Sequence, residues 1–347
     1  MTNTGGVLAE SRSPASGEPV ISVSHLVQRF KVPGGSLEAV SDVSFDVGRG
    51  EVLGLVGESG CGKSSTGRAM LQLPPPTSGT VRFTGQEITG MSRKALRPIR
   101  LRMQMIFQDP LSALNPRRKI RDIVGEGLTI SGMGKAEVVR RSEEMLSFVG
   151  LEPEVVRGRH PHELSGGQCQ RVAIARALVL QPELIVCDEP VASLDMSIQG
   201  QVLNLLEDMR TRFGLAMVFI SHDLSVVHSV SDRIAVMYLG KIVEVGTANA
   251  VTRNPAHPYT RALLEAVPIA DPDIPLTATA LRGEIPSPVS PPSGCRFRTR
   301  CPLAQDRCAA EAPRLRDLGD GQRVACHFPL HGKVADASES EPVPAAG

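Results

Sequence analysis

The sequence predicts an α/β fold of the P-loop type, and three observations predict it. Residues 57–65 read Gly-Glu-Ser-Gly-Cys-Gly-Lys-Ser-Ser. A Gly-rich turn of this kind lets backbone N–H groups wrap phosphates with no side chain in the way. The flanks have the right character: Glu51 to Val56 is a short apolar run of strand type, and Thr66 to Leu73 can be a helix whose positive end faces the phosphates. Further on, Leu184-Ile185-Val186-Cys187 and Leu215 to Ile220 read as buried strands, the first ending in Asp188-Glu189. The nucleotide-binding candidates are therefore Gly57, Ser59, Gly60, Cys61, Gly62, Lys63, Ser64 and Ser65. Lys63 supplies charge to the β- and γ-phosphates, and the Ser64 hydroxyl can ligate Mg²⁺.

In chain order, residues 1–19 are rich in Gly, Ser and Thr and are expected to be disordered. Val20 to Val47 reads as strands about a Pro33-Gly34-Gly35 turn. Strand-rich sequence follows the P-loop unit from Gly79 to Ile88, with a turn at Gly85-Gln86. After Gln108 the pattern turns helical. Lys135 to Val149 spaces Val138, Val139, Met145, Leu146 and Phe148 among charges. Residues 109–167 are read as a helical insertion between two halves of the α/β core. Residues 333–347, acidic and rich in Ser, Pro and Ala, are expected to be a disordered tail.

Composition narrows the class. The chain has 347 residues, formal net charge +1, 41% hydrophobic and 22% charged residues. The balance is that of a soluble globular protein, and its charge gives no bulk pull toward nucleic acid or anionic membranes. No apolar run approaches the ~20 residues a bilayer span requires, and the N-terminus lacks a secretory signal pattern. The expected location is the cytoplasm, with separate membrane subunits for any transport role.

The later motifs say which nucleotide machine this is. Leu164-Ser165-Gly166-Gly167-Gln168 precedes a helical run, Arg171 to Ala177. Then come Leu184 to Pro190, Ser193-Leu194-Asp195 and Phe219-Ile220-Ser221-His222-Asp223. Singly, Asp188-Glu189 could be an acidic turn, His222 a cap, Gln108 a solvated residue and Phe30 a core aromatic. Together, in this order, they resemble the ATP-binding subunit of an ABC transporter over residues 20–265. That resemblance implies a RecA-like core, an antiparallel β subdomain and a helical subdomain. It implies ATP and Mg²⁺, with Ser64 and Gln108 on the metal and Asp188 orienting its water shell. Glu189 would polarise the attacking water, His222 would contact the γ-phosphate and hold Glu189, and Phe30 would stack on adenine. Ser165, Gly166, Gly167, Gln168 and Asp195 would face the ATP of an opposite subunit, so the chain would be half of an active unit. Asp109 to Pro116 is the expected contact loop for a membrane subunit.

A second region, 266–332, follows the ATPase. Asn254-Pro255-Ala256-His257-Pro258-Tyr259-Thr260, Gly283 to Pro288, Pro291 to Cys295 and Val324-Ala325-Cys326-His327 resemble the oligopeptide/dipeptide importer branch, and lean toward the second of its two unlike ATPase subunits. The resemblance implies a non-identical ATPase partner, two membrane permeases and, indirectly, an extracytoplasmic substrate-binding protein, at the cytoplasmic face of the membrane. The branch also includes nickel, glutathione and sugar subunits. A soluble ABC ATPase acting on nucleic acid is the competing class, but the chain has no basic arm, second module or coiled-coil insertion to match it.

Cys295, Cys301, Cys308 and Cys326 are spaced x5, x6 and x17. Disulfides are disfavoured in a reducing compartment. Structural zinc prefers close Cys pairs, which are missing. Four thiolates can also hold an iron–sulfur cluster, and the resemblance implies a [4Fe–4S] cluster here. Zinc and four reduced, buried cysteines remain alternatives. The Pro-rich segment is expected to need such a staple, with a role outside ATP chemistry. Cys61, Cys169 and Cys187 read as packing residues, although Cys61 could be open to oxidation.

Overall fold

A computed structural model of the chain describes residues 17–33, 35–192, 194–266, 283–319 and 321–332. The expected tail 333–347, and all but residues 17–19 of the expected N-terminal tail, lie outside the described residues.

The strands, in chain order, are β1 (Ile21–Val32), β2 (Gly35–Val47), β3 (Val52–Val56), β4 (Ser78–Phe83), β5 (Gln86–Glu87), β6 (Met103–Ile106), β7 (Leu184–Asp188), β8 (Ala216–Ser221), β9 (Arg233–Tyr238), β10 (Lys241–Thr247), β11 (Arg316–Asp317) and β12 (Arg323–Val324). They form two sheets. The smaller is antiparallel, in the order β2-β1-β4-β5. The larger has the order β11-β12-β10-β9-β3-β8-β7-β6. Its central part is parallel: β6 pairs with β7, β7 with β8, and β3 with both β8 and β9.

The strand sequences explain this arrangement. All five residues of β3, all five of β7 and all six of β8 are buried, as parallel strands covered on both faces must be. The two faces serve different layers. Leu53 and Leu55 join a core with the antiparallel sheet and the helix Lys63–Met70. Val52 and Val56 join a second core with the helices Gly166–Leu178 and Met196–Phe213. Between them, a Cβ on Gly54 would overlap Val227 Cγ1 and leave only 2.5 Å to Ser231 Oγ, so the next helix, Leu224–Val230, lies directly on β3.

The helical stretch after Gln108 comprises Pro110–Ala113, Ile120–Val124, Glu126–Ile130, Lys135–Phe148 and Pro153–Val156. Leu146 of the longest is fully buried, and the Phe148 ring meets Phe213 edge-on at 5.8 Å. The helix after the P-loop begins at Lys63 rather than Thr66, because Gly62 turns the chain at φ 105° and the P-loop lysine and serine form its first turn. A helix at Arg93–Arg102 precedes the insertion.

The C-terminal segment is built into the core. β12 pairs with β10 and so extends the large sheet. Phe297, 1% exposed, packs against Tyr238 at 5.2 Å and Tyr259 at 5.3 Å. Burying one such ring contributes about 1.5–3 kcal/mol. The expectation that this segment has no core to order it is thus corrected: it shares the core of the α/β layers. Among the described residues, no helix is long and apolar enough to cross a membrane.

Candidate functional site

The candidate residues sit at the carboxyl ends of adjacent parallel strands, where open α/β sheets bind ligands. β3 runs into the P-loop, β6 leads to Gln108, β7 ends in Asp188 and delivers Glu189, and β8 delivers His222. In register, Val56 lies beside Ser221, and Asp188 beside Ile220.

Two of the loop's glycines are sterically required. A Cβ on Gly62 would collide with the Ala39 carbonyl, and one on Gly57 with the Met237 carbonyl. Lys63 is 4% exposed, and its Nζ donates to the carbonyls of Gly57 at 2.7 Å and Glu58 at 3.1 Å. The ammonium is thus held inside the loop by the loop's own backbone.

Asp188 is fully buried, and Ser64 Oγ donates to its Oδ1 at 2.6 Å. Its Oδ2 has no hydrogen-bond partner, with the Arg68 guanidinium 3.6 Å away. Burial pushes this carboxyl above the usual range, against the pull of Ser64 and Arg68. A buried carboxylate with an orphaned oxygen beside a P-loop hydroxyl suits a hydrated cation, so the residues fit Mg²⁺.

Glu189 adopts φ 48°, a left-handed backbone rarely used by residues other than glycine, Asn and Asp. The turn carries its carboxylate off the strand end to two partners. Gln108 Nε2 donates to Oε2 at 2.9 Å, and His222 Nδ1 lies 3.3 Å from Oε1. Phe30, Lys63, Ser64, Gln108 and Glu189 line one cavity of about 240 Å³, together with Pro288 of the C-terminal segment. Ser59, Gly60, Gly62 and Ser65 complete its P-loop wall. Pro288 belongs to the Gly283 to Pro288 stretch, but nothing in the sequence places it at this cavity, since no local signal marks a proline that returns across the chain.

Two family models match the sequence: ABC transporter over residues 40–192, and oligopeptide/dipeptide transporter C-terminal region over residues 243–308. The oligopeptide transport ATP-binding protein OppF of Escherichia coli is 52% identical over 292 residues, covering 83% of this chain and 87% of that protein. The oligopeptide transport ATP-binding protein AppF of Bacillus subtilis is 49% identical over 298 residues, covering 85% and 90%. The chain belongs to the ATP-binding subunits of ABC transporters. Its solved structural neighbours include cbiO1 of Clostridium perfringens, with TM-score 0.61 and 28% identity over 69% of this chain and 92% of that one. Another is the ATP-binding cassette MJ0796, a dimer bound to ADP and Pi, with TM-score 0.61 and 27% identity over 66% of this chain and 98% of that one.

In this ABC subunit the Leu164–Gln168 motif does not line the 240 Å³ cavity beside its own P-loop. Ser165 caps the helix Gly166–Leu178 in a reciprocal box with Gln168: Ser165 Oγ accepts from Gln168 N, and Gln168 Oε1 accepts from Ser165 N. Ser165 and Gly166 are exposed, Gln168 is half-buried, and Gly167 is buried against Ile198. Asp195 and Met196, the latter 86% exposed, open the helix Met196–Phe213 that carries Ile198.

A second cavity, about 590 Å³, lies elsewhere, between the helices Arg93–Arg102 and Glu126–Ile130. Leu73 and Ile130 line it and are 40% and 52% exposed, and Leu111 of the expected contact loop is 51% exposed.

Cys61 is buried and its thiol is raised by burial, which corrects the reading of an oxidation-prone P-loop cysteine. Cys169 and Cys187 are fully buried, as packing residues should be. Within the C-terminal segment, Cys295 N donates to the Cys308 carbonyl at 2.8 Å, and charge on Cys295, Cys301 and Cys308 bears on the Cys326 thiol. Burial is the larger influence and pushes Cys326 up to about 12. However, among the described residues no group of three or more His, Cys, Asp or Glu is placed to hold a metal ion. His327 and His331 instead meet the backbone carbonyls of Glu311 and Asn254.

Proposed function

We propose that this chain binds and hydrolyses ATP to energise peptide uptake through an ABC importer. The observation that carries the reading is the convergence of Lys63, Ser64, Gln108, Asp188, Glu189 and His222 at neighbouring strand ends. The relatives named for oligopeptide transport supply the substrate class.

Phosphoryl transfer depends on positioning and charge neutralisation. Lys63 leaves its backbone carbonyls for the β- and γ-phosphates. Mg²⁺, arriving with ATP, neutralises phosphate charge; Ser64 and Gln108 would hold it, and Asp188 would orient its water shell. Glu189 orients and polarises the attacking water, and His222 steadies Glu189 and reaches toward the γ-phosphate. Phe30 offers its ring face to adenine.

The exposed Ser165, Gly166 and Asp195, with the more enclosed Gly167 and Gln168, would complete the site of an opposite subunit. A similar but non-identical ATPase is the proposed partner. Two membrane permeases, fed by an extracytoplasmic substrate-binding protein, would dock at the loop Asp109 to Pro116, where Leu111 is 51% exposed, and over the 590 Å³ groove. The subunit then works at the cytoplasmic face of the membrane. The test is peptide uptake in cells lacking the chain: restoration by the wild type and not by Lys63→Ala supports the reading. Full uptake without the chain rejects it.

The [4Fe–4S] cluster on Cys295, Cys301, Cys308 and Cys326 is also a proposal; it rests on four cysteines of one segment and the Cys295 N–H to Cys308 carbonyl bond, although the described residues place no group of three or more for a metal ion. Iron and sulfide analysis of anaerobically purified protein decides it. About four of each per chain are expected. Stoichiometric zinc without sulfide would replace the cluster with a zinc site, and no metal at all would end both readings.

A further inference from the structure

The cysteine-bearing segment reaches back into the P-loop. Arg300, immediately before Cys301, is 4% exposed at its side chain. Its guanidinium donates from Nη1 to Glu58 Oε2 at 2.6 Å and from Nη2 to Glu58 Oε1 at 3.0 Å. Glu58 is the first residue after Gly57, and therefore part of the phosphate cradle. Its backbone N–H donates to Tyr259 Oη at 2.9 Å, and its carbonyl accepts from Lys63. Three sides of one loop residue are thus fixed: the side chain by Arg300, the N–H by Tyr259, and the carbonyl by the lysine meant for the phosphates.

A second arm lies beside the first. Arg296 donates to the Leu239 carbonyl, to Ser41 Oγ at 3.0 Å and to Glu38 Oε1 at 3.3 Å. The residue after Leu239, Gly240, donates its N–H to the Cys61 carbonyl at 2.7 Å. The segment therefore braces the loop near its start and, through Leu239 and Gly240, at its middle, while Pro288 walls the cavity itself.

We propose that Arg300 is a positioning residue of the nucleotide site, holding the P-loop in its phosphate-binding shape through Glu58. A P-loop works only if its peptide N–H groups point inward. Rotation of the peptide after Glu58 would turn a carbonyl toward the phosphates instead. The planar fork of an arginine on a carboxylate resists that rotation as a point charge would not. The C-terminal segment, expected from sequence to stand apart from ATP chemistry, thereby sets the affinity of the site for phosphates. The inference rests on the ATP site proposed above.

The test is titration of the full-length chain with a fluorescent ATP analogue and Mg²⁺. It compares wild type, Arg300→Ala, Glu58→Gln, the double variant and Lys63→Ala. Each single change at Arg300 or Glu58 is expected to weaken binding about tenfold, the scale of one lost charge-assisted hydrogen bond. The double variant should be no weaker than the worse single one, because Arg300 acts through Glu58. Losses that multiply would mean that Arg300 only props up the fold, and wild-type affinity in either single variant would overturn the proposal. Should Arg300→Ala fail to fold, Glu58→Gln alone decides. Absent binding by the wild type, or unchanged binding by Lys63→Ala, would instead overturn the ATP site and this inference with it.

Discussion

Asp188 shows what the site costs the fold. It is fully buried, accepts one hydrogen bond, from Ser64, and leaves Oδ2 without one. Its pKa is raised by burial, so its favourable contribution is present at low pH and lost as pH rises through the folded value. In its ionised form the group burdens the fold. Asp188→Asn keeps an acceptor for Ser64 and removes the charge. It should stabilise the nucleotide-free protein at pH 7 by about 0.5–2 kcal/mol, with the gain shrinking toward pH 4. It should also abolish the Mg²⁺ dependence of ATP binding. Urea unfolding at the two pH values and titrations with and without Mg²⁺ check both halves. A variant less stable than wild type at pH 7 would refute the desolvation argument.

At the scale of elements, the helix Pro258–Glu265 depends on its cap, His257, which is 1% exposed. His257 Nδ1 accepts the Tyr259 N–H at 3.0 Å, which requires an unprotonated ring nitrogen. Burial lowers its pKa from 6.5 to about 3. The unfolded chain therefore binds the proton first as pH falls, and stability is lost from about pH 6.5 downward, by about 1.4 kcal/mol per pH unit. His257→Asn keeps a capping acceptor and removes that slope. Unfolding midpoints at pH 7.5 and 5.5 should differ less in the variant than in the wild type, and equal slopes would contradict the assignment. Other elements differ in how far the sequence announced them. β3, β7 and β8 are short, mostly apolar runs that end at or just before a motif, so these strands, and the motif residues that follow them, stood out in the sequence. The helix Arg93–Arg102 could not: it carries Pro98 and five basic residues, and buries only Leu96 and Ile99. β11 and β12 have two residues each, too short for any periodicity. The Arg300–Glu58 pair spans 242 positions, and no spacing rule foresees it.

At the scale of the whole molecule, the nucleotide cavity and the 590 Å³ groove are separate surfaces. Leu111→Asp places a charge on the proposed docking face without touching the cavity. Uptake should fail while affinity for MgATP stays within about twofold of wild type, since a charge forced into an apolar contact costs a few kcal/mol. Normal uptake and normal recovery of the complex would put the contact elsewhere. Hydrolysis is proposed to run with Glu189 acting on the water, in a dimer closed over nucleotide. Glu189→Gln, assayed in the assembled complex, tests it most directly. The expected outcome is retained MgATP binding, turnover lowered by about 10²-fold or more, and a closed dimer that persists with ATP. Substantial hydrolysis by the variant, with contaminating ATPase excluded, would contradict it.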